Sequence, residues 1–209
     1  MRVLVVGASG ILGQAVVSAL AGHEIIEASR DGDHKVDLRD AASIAALYFE
    51  VGQVDAVACA AGVTPFKPFR DLTLDDFRSG LDDKLVGQIE LVRQGIDHVA
   101  DGGSFTLISG ILVTEPIETG AVASTVNGAV EAFVRAAATG LPRGQRINAV
   151  SPNAFTETWD GYADYFPVSF RCLLQTRVAR TRSRSAACRP GRFIGSGTDA
   201  TAMPCSAPM

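Results

Sequence analysis

The chain has 209 residues, 47% hydrophobic and 20% charged, with a formal net charge of −4. That length suits one domain with a full core rather than two, and the acidic balance argues against nucleic acid as a partner. No apolar run reaches the roughly 18 residues of a membrane span.

The first strand reads as Arg2 to Val6 and empties into a turn carrying Gly7, Gly10 and Gly13. From Ile11 the pattern becomes helical, with Ile11, Leu12, Ala15, Val16 and Leu20 on one face. A strand that runs through a glycine-rich turn into a helix N-terminus makes an anion site, because unpaired backbone N–H groups and the positive end of the helix dipole converge there. Glycine serves the turn by keeping a Cβ out of the way of a pyrophosphate, so the stretch reads as a dinucleotide-binding turn. The same glycines, with Ser9, interrupt what would otherwise pass for the apolar core of a signal peptide.

Glu24 to Ala28 reads as the second strand, followed by Ser29, Arg30 and a polar turn; Lys35 to Leu38 is a short third strand. Asp40 is placed to cap a helix over Ala41 to Phe49. Asp55 to Cys59 is a fourth strand ending in the small-residue turn Ala60-Ala61-Gly62. Helices are expected from about Leu74 to His98, with a break near Gly80. Ser104 to Ile108 is a fifth strand ending at Ser109-Gly110, Gly120 to Thr139 is a long helix, and Arg146 to Val150 is a sixth strand before Ser151-Pro152-Asn153. Strands that are nearly continuous apolar runs, alternating with helices, define a doubly wound parallel sheet in three layers, Rossmann-like, in a single domain. Ligands of such sheets bind at the carboxyl ends of the strands, where the turns after Val6, Ala28, Cys59 and Ile108 all open.

Residues 169–209 read differently. From Arg171 onward there are seven arginines against one acid, Asp199, and three of the four cysteines. No apolar period persists there, so a domain over 1–168 is expected to precede a basic, poorly ordered tail that leaves the sheet without its usual last strand. Such a tail fits either a reading-frame change or a native basic extension. Cysteines 59, 172, 188 and 205 form no C-x-x-C pair and no metal-ligand spacing, so no metal and a reducing, cytoplasmic setting are expected.

Five segments in order, GASGILG at 7–13, VDLRD at 36–40, CAAG at 59–62, GSFTLISG at 103–110 and RINAVSPN at 146–153, resemble the short-chain dehydrogenase/reductase family over residues 1 to about 166. The resemblance implies a nicotinamide cofactor held by Gly7, Ser9, Gly10, Ile11, Leu12, Gly13, Ser29, Arg30, Asp37, Leu38, Cys59, Ala60, Ala61, Gly62, Asn127 and Pro152. Where NAD-dependent relatives place an acid at the end of the second strand, this chain has Ser29 and Arg30. A hydroxyl and a guanidinium suit a 2′-phosphate, so NADP(H) is expected over NAD(H), unless Arg30 is only a solvated surface charge.

The resemblance fails at the catalytic positions. The family's Tyr-x-x-x-Lys pair falls on Ala123 and Asn127, its serine on Gly110 beside Ser109, and its asparagine on Lys84. An alanine cannot transfer a proton, so the family mechanism cannot run unchanged. Two readings follow. One is an NADP(H)-dependent oxidoreductase for a small carbonyl or alcohol, with a rearranged site built on Lys84, Ser109 and Asn127. Lys84 then supplies the missing charge, and a hydroxyl from Ser109, Ser124, Thr125, Tyr162 or Tyr165 orients the substrate. The other is a nucleotide-binding sensor or regulatory protein without turnover, in which Lys84 is a helix-surface lysine. The segment Phe155 to Phe166 reads as a lid over the nicotinamide or as an amphipathic surface helix, and a homodimer or homotetramer follows from the resemblance.

Overall fold

The computed structural model describes residues 1–153 and a short strand at 194–195. In chain order the elements are β1 (Arg2–Val6), α1 (Ile11–Ala19), β2 (Glu24–Ser29), β3 (His34–Lys35), α2 (Ala41–Val51), β4 (Val54–Cys59) and α3 (Leu74–Gly80). A π-helical segment (Leu81–Val86) joins α3 to α4 (Gly87–Gly95), and β5 (Val99–Ile108), α5 (Ala121–Ala137), β6 (Arg146–Ser151) and β7 (Ile194–Gly195) follow. The strands form one sheet in the order β3-β2-β1-β4-β5-β6-β7, and every pairing is parallel.

Alternate residues of β1 divide between two cores, as period-two side chains must. Val3 and Val5 face α1 through Val16, Val17 and Leu20. Leu4 and Val6 belong to the larger core on the opposite face, with Ile44 and Leu47 of α2, Leu91 of α4, and Val130 and Val134 of α5. The result is the three-layer doubly wound sheet expected from the sequence. Growth of the sheet reverses between β1 and β4, whose last residues Val6 and Cys59 lie in register. A crevice opens off the carboxyl ends of strands at such a reversal.

Four local expectations are corrected. β5 begins at Val99 rather than Ser104, because Val54 pairs with Val99 before a bulge restores pairing at Ala56 and Ser104. The bulged residues include Gly102 at φ +70°, a backbone state that favours glycine. β3 covers only His34–Lys35; residues 36–38 then leave the sheet edge, and Val36 and Leu38 turn inward. No break occurs at Gly80, which keeps helical angles of φ −67° and ψ −37°. The helix instead widens beyond it, and the missing side chain lets α3 lie on α5, since a Cβ at 80 would come within 2.7 Å of Val122. Finally, the sheet edge expected to be bare carries β7, with Val150 opposite Ile194 and Ser151 opposite Gly195. Those two residues give the outer N–H and C=O groups of β6 a backbone partner, which a sheet edge otherwise lacks. The proposed lid at 155–166 and the rest of the tail lie outside the described residues.

Candidate functional site

The glycine turn is built around close backbone approaches. Gly7 sits at φ +85°, and a Cβ there would lie 2.9 Å from the Ala60 backbone carbon. A Cβ at Gly13 would lie 2.0 Å from the Gly7 carbonyl oxygen. The turn is tied to both neighbouring strands: Gly7 N–H donates to Ala28 O at 2.8 Å, and Ala60 N–H donates to Val6 O at 2.8 Å. Gly10 caps α1 without any side-chain hydrogen bond, so the first amides of the helix are left for a ligand.

A groove of about 250 Å³ runs from this turn past the ends of β2 and β4. Of the residues expected to hold a cofactor, Gly7, Ser9, Gly10, Ser29, Arg30, Asp37, Leu38, Ala60, Ala61 and Gly62 line it. Ile11, Leu12, Gly13, Cys59, Asn127 and Pro152 do not. Gly13 instead supports the turn from beneath. Cys59 is buried, its thiol pushed up to about 11 by desolvation, and Pro152 accepts a hydrogen bond from Ile111 N–H at 3.0 Å. Val63 and Asp83 also line the groove, and sequence reasoning missed both. Asp83 Oδ1 accepts from Val63 N–H at 2.8 Å, a contact between residues 20 apart that no local pattern announces.

Two charged groups distinguish this groove. Arg30 is exposed and forms no ion pair with a described residue. Asp37 is gripped by Arg39 through two side-chain hydrogen bonds, at 3.0 Å and 2.7 Å. Those bonds hold the Asp37 carboxyl down at about 2. Arg39, two residues along in the VDLRD stretch, was not singled out from the sequence, although its position beside Asp37 was visible there.

Lys84 lies in the π segment and is buried. Its Nζ donates to Asn127 Oδ1 at 2.6 Å and to Ser109 O at 2.9 Å. Burial lowers it from the ordinary 10.5 to about 8. Its stem passes under the β4 turn, where a Cβ on Gly62 would come within 2.6 Å of Lys84 Cγ. The surface-lysine alternative is thereby corrected, and three residues expected to act together are in contact.

Their roles differ from expectation. Ser109 Oγ turns to α5, donating to Glu131 Oε1 at 2.9 Å with Asn127 O at 3.3 Å, so Ser109 meets Lys84 through its carbonyl and not its hydroxyl. Ser124 Oγ donates to Leu112 O, and Thr125 Oγ1 donates to Ala121 O. Tyr162 and Tyr165 lie outside the described residues. Gln88, unmarked by any motif, clamps the end of β5 by donating to Ile108 O at 3.0 Å and accepting from Ile108 N–H at 2.9 Å.

A glycine cradle at the head of α1, a groove across the sheet reversal and a buried lysine held by Ser109 and Asn127 define a dinucleotide-binding oxidoreductase fold. Residues 8–171 match the family described as enoyl-(acyl carrier protein) reductase, and the chain belongs to the short-chain dehydrogenase/reductase family. Members of this family bind nicotinamide cofactors and act on small molecules. A hydroxynaphthalene reductase of Aspergillus fumigatus is 30% identical over 145 residues, covering 65% of this chain and 53% of the relative. An uncharacterised oxidoreductase of Methylorubrum extorquens is 31% identical over 141 residues, covering 66% of this chain and 56% of the relative. The chain thus spans about half the length of these curated relatives. Among solved structures, the protein lin1944 from Listeria innocua superposes with a TM-score of 0.79 at 44% identity, covering 86% of this chain and 88% of that one. A small-chain dehydrogenase in complex with NADPH superposes with a TM-score of 0.70 at 27% identity, covering 77% and 74% respectively. No helix among the described residues is long and apolar enough to cross a membrane.

Proposed function

We propose that this chain is an NADP(H)-dependent oxidoreductase for a small carbonyl or alcohol substrate, working through a rearranged site. The observation that carries this reading is the reach of Lys84 Nζ across to Asn127 Oδ1, 2.6 Å away on α5. A cation is delivered from the α3–α4 side to the helix where the family's own lysine would stand. A nicotinamide nucleotide fits the residues present: only glycine at 7 and 13 lets the backbone close into the cradle, since a Cβ at either would collide with neighbouring backbone, and the exposed Arg30 with Ser29 at the groove wall suits a 2′-phosphate. The NADPH bound in one similar structure supports the same choice.

Gly7, Ser9, Gly10, Ser29, Arg30, Asp37, Leu38 and the Ala60-Ala61-Gly62 turn would hold the cofactor. When bound, it supplies the hydride. The chain's part is to position the substrate and move the proton. With Nζ at about 8, Lys84 holds a proton at neutral pH yet gives it up readily. Two of its three N–H groups are taken by Ser109 O and Asn127 Oδ1, which leaves one for a substrate oxygen or a ribose hydroxyl. Val36, Leu38 and Val63 give the groove apolar walls that help to keep water out. A homo-oligomer goes with this reading on the resemblance alone, a cytoplasmic setting on the cysteine pattern, and a domain ending near residue 168 on the change of composition there.

The experiment compares NADPH and NADH binding by calorimetry, then follows NADPH absorbance against aldehydes, ketones and quinones. Tighter NADPH binding, lost by about tenfold or more in Arg30→Ala with NADH unaffected, is expected. Equal affinities, or an indifferent Arg30→Ala, overturn the cofactor choice. Binding without turnover of any carbonyl favours the sensor reading.

A further inference from the structure

Asn127 is 4% exposed and sits at the carboxyl end of β5, the edge where ligands of parallel sheets lie. Which way its amide faces is fixed by chemistry. A lysine ammonium only donates, so the atom 2.6 Å from Lys84 Nζ must be the amide oxygen. The nitrogen is therefore turned the other way, toward Gly110. There it takes up the space a side chain would use: a Cβ on Gly110 would come within 2.7 Å of Asn127 Nδ2. Nδ2 makes no hydrogen bond to a described residue.

The described hydroxyls nearby are not available for a substrate. Ser109, Ser124 and Thr125 each give their single proton to an oxygen of the protein. From this geometry we infer that Asn127 Nδ2 is the hydrogen-bond donor that orients the substrate carbonyl oxygen, with Lys84 fixing the amide and Gly110 leaving it room. This rests on the oxidoreductase reading above and assigns it a specific donor. It also makes residues 84, 110 and 127 one unit: the lysine sets the orientation, the asparagine donates, and the glycine is required by the asparagine.

The decisive variant is Asn127→Asp. It keeps the shape and an acceptor for Lys84 but removes the donor. The first readout needs no turnover. Acetone, the smallest ketone, is titrated into the NADP+-loaded chain and the side-chain amide resonances are followed, with Asn127 assigned by its absence from Asn127→Asp. A saturable shift of the Asn127 amide is expected. The second readout is NADPH-dependent reduction of phenanthrenequinone: Asn127→Asp lowers kcat by about a hundredfold while NADPH affinity stays within about threefold. The double variant Gly110→Ser/Asn127→Ala, which restores a donor from the other side, recovers at least about tenfold over Asn127→Ala. In the cofactor-free chain, Gly110→Ala lowers the melting temperature unless Asn127→Ala is present too. An unmoved Asn127 amide, or an Asn127→Asp that reduces the quinone at the wild-type rate, overturns the assignment and leaves NADPH binding intact. Failure to bind NADPH overturns both the assignment and the oxidoreductase reading.

Discussion

Replacing Lys84 with methionine keeps an unbranched side chain of similar length and removes only the titrating group. Burial lowers Lys84 from 10.5 to about 8, so between those values the unfolded chain holds a proton that the folded chain has released. Stability rises with pH wherever the unfolded state binds more protons. The wild type therefore gains stability as pH climbs through this window, and below it carries the full cost of a buried charge. At about 1.4 kcal/mol for each tenfold change in the proton equilibrium, the gain is about 3 kcal/mol. Cys59 works in the opposite sense: desolvation raises its thiol from 9.0 to about 11, so the folded chain holds that proton longer and loses stability as pH rises. The raw wild-type curve mixes the two, and the difference between wild type and Lys84→Met removes the desolvation of Cys59, which both proteins share, leaving only its charge coupling to Lys84. Urea unfolding of each, from about pH 7 to about pH 10.5, is expected to show that difference moving by about 3 kcal/mol in favour of the wild type. A difference constant to within about 1 kcal/mol would refute the buried, hydrogen-bonded position of the amine.

Two further substitutions test the frame of the site. Gly13→Ala puts a methyl 2.0 Å from the Gly7 carbonyl oxygen; a cost of about 3 kcal/mol and loss of NADPH binding are expected in thermal and calorimetric measurements, and an unchanged melting temperature would count against so close an approach of the two backbones. Gln88→Leu leaves both the N–H and the C=O of Ile108 without their partner. It is expected to cost about 3 kcal/mol and to speed hydrogen exchange at the Ile108 amide, and protection equal to wild type would show that the clamp contributes nothing.

Much of the frame was legible in the residues because it depends on local rules. Apolar runs marked the positions of the longer strands, and the three early glycines marked the turn whose Cβ clashes the structure bears out at Gly7 and Gly13. Asp40 caps α2 as read, accepting from Ala42 N–H. What could not be read depends on contacts distant in sequence. Lys84 and Asn127 are 43 residues apart, and nothing in either helix's own pattern says that their side chains meet. Ser109 looked like a free hydroxyl because its partner, Glu131, stands 22 residues away on α5. The wide turn at Leu81–Val86 has no sequence signature of its own; Gly80 signalled a departure from regular helix but not its kind. β7 escaped notice because two residues, Ile194–Gly195, are too short to show an alternating pattern.

The helical widening at Leu81–Val86 carries a genetic corollary. A π turn holds one residue more than a regular helix needs, so excising one residue from it closes the turn and leaves the flanking helical turns facing as before. Gly80 faces Val122 and Gly87 faces Leu38, and after such a loss both contacts can still be met. A single in-frame codon deletion within this turn therefore shifts the amine at 84 away from its amide while every strand and every glycine of the nucleotide turn stays in place.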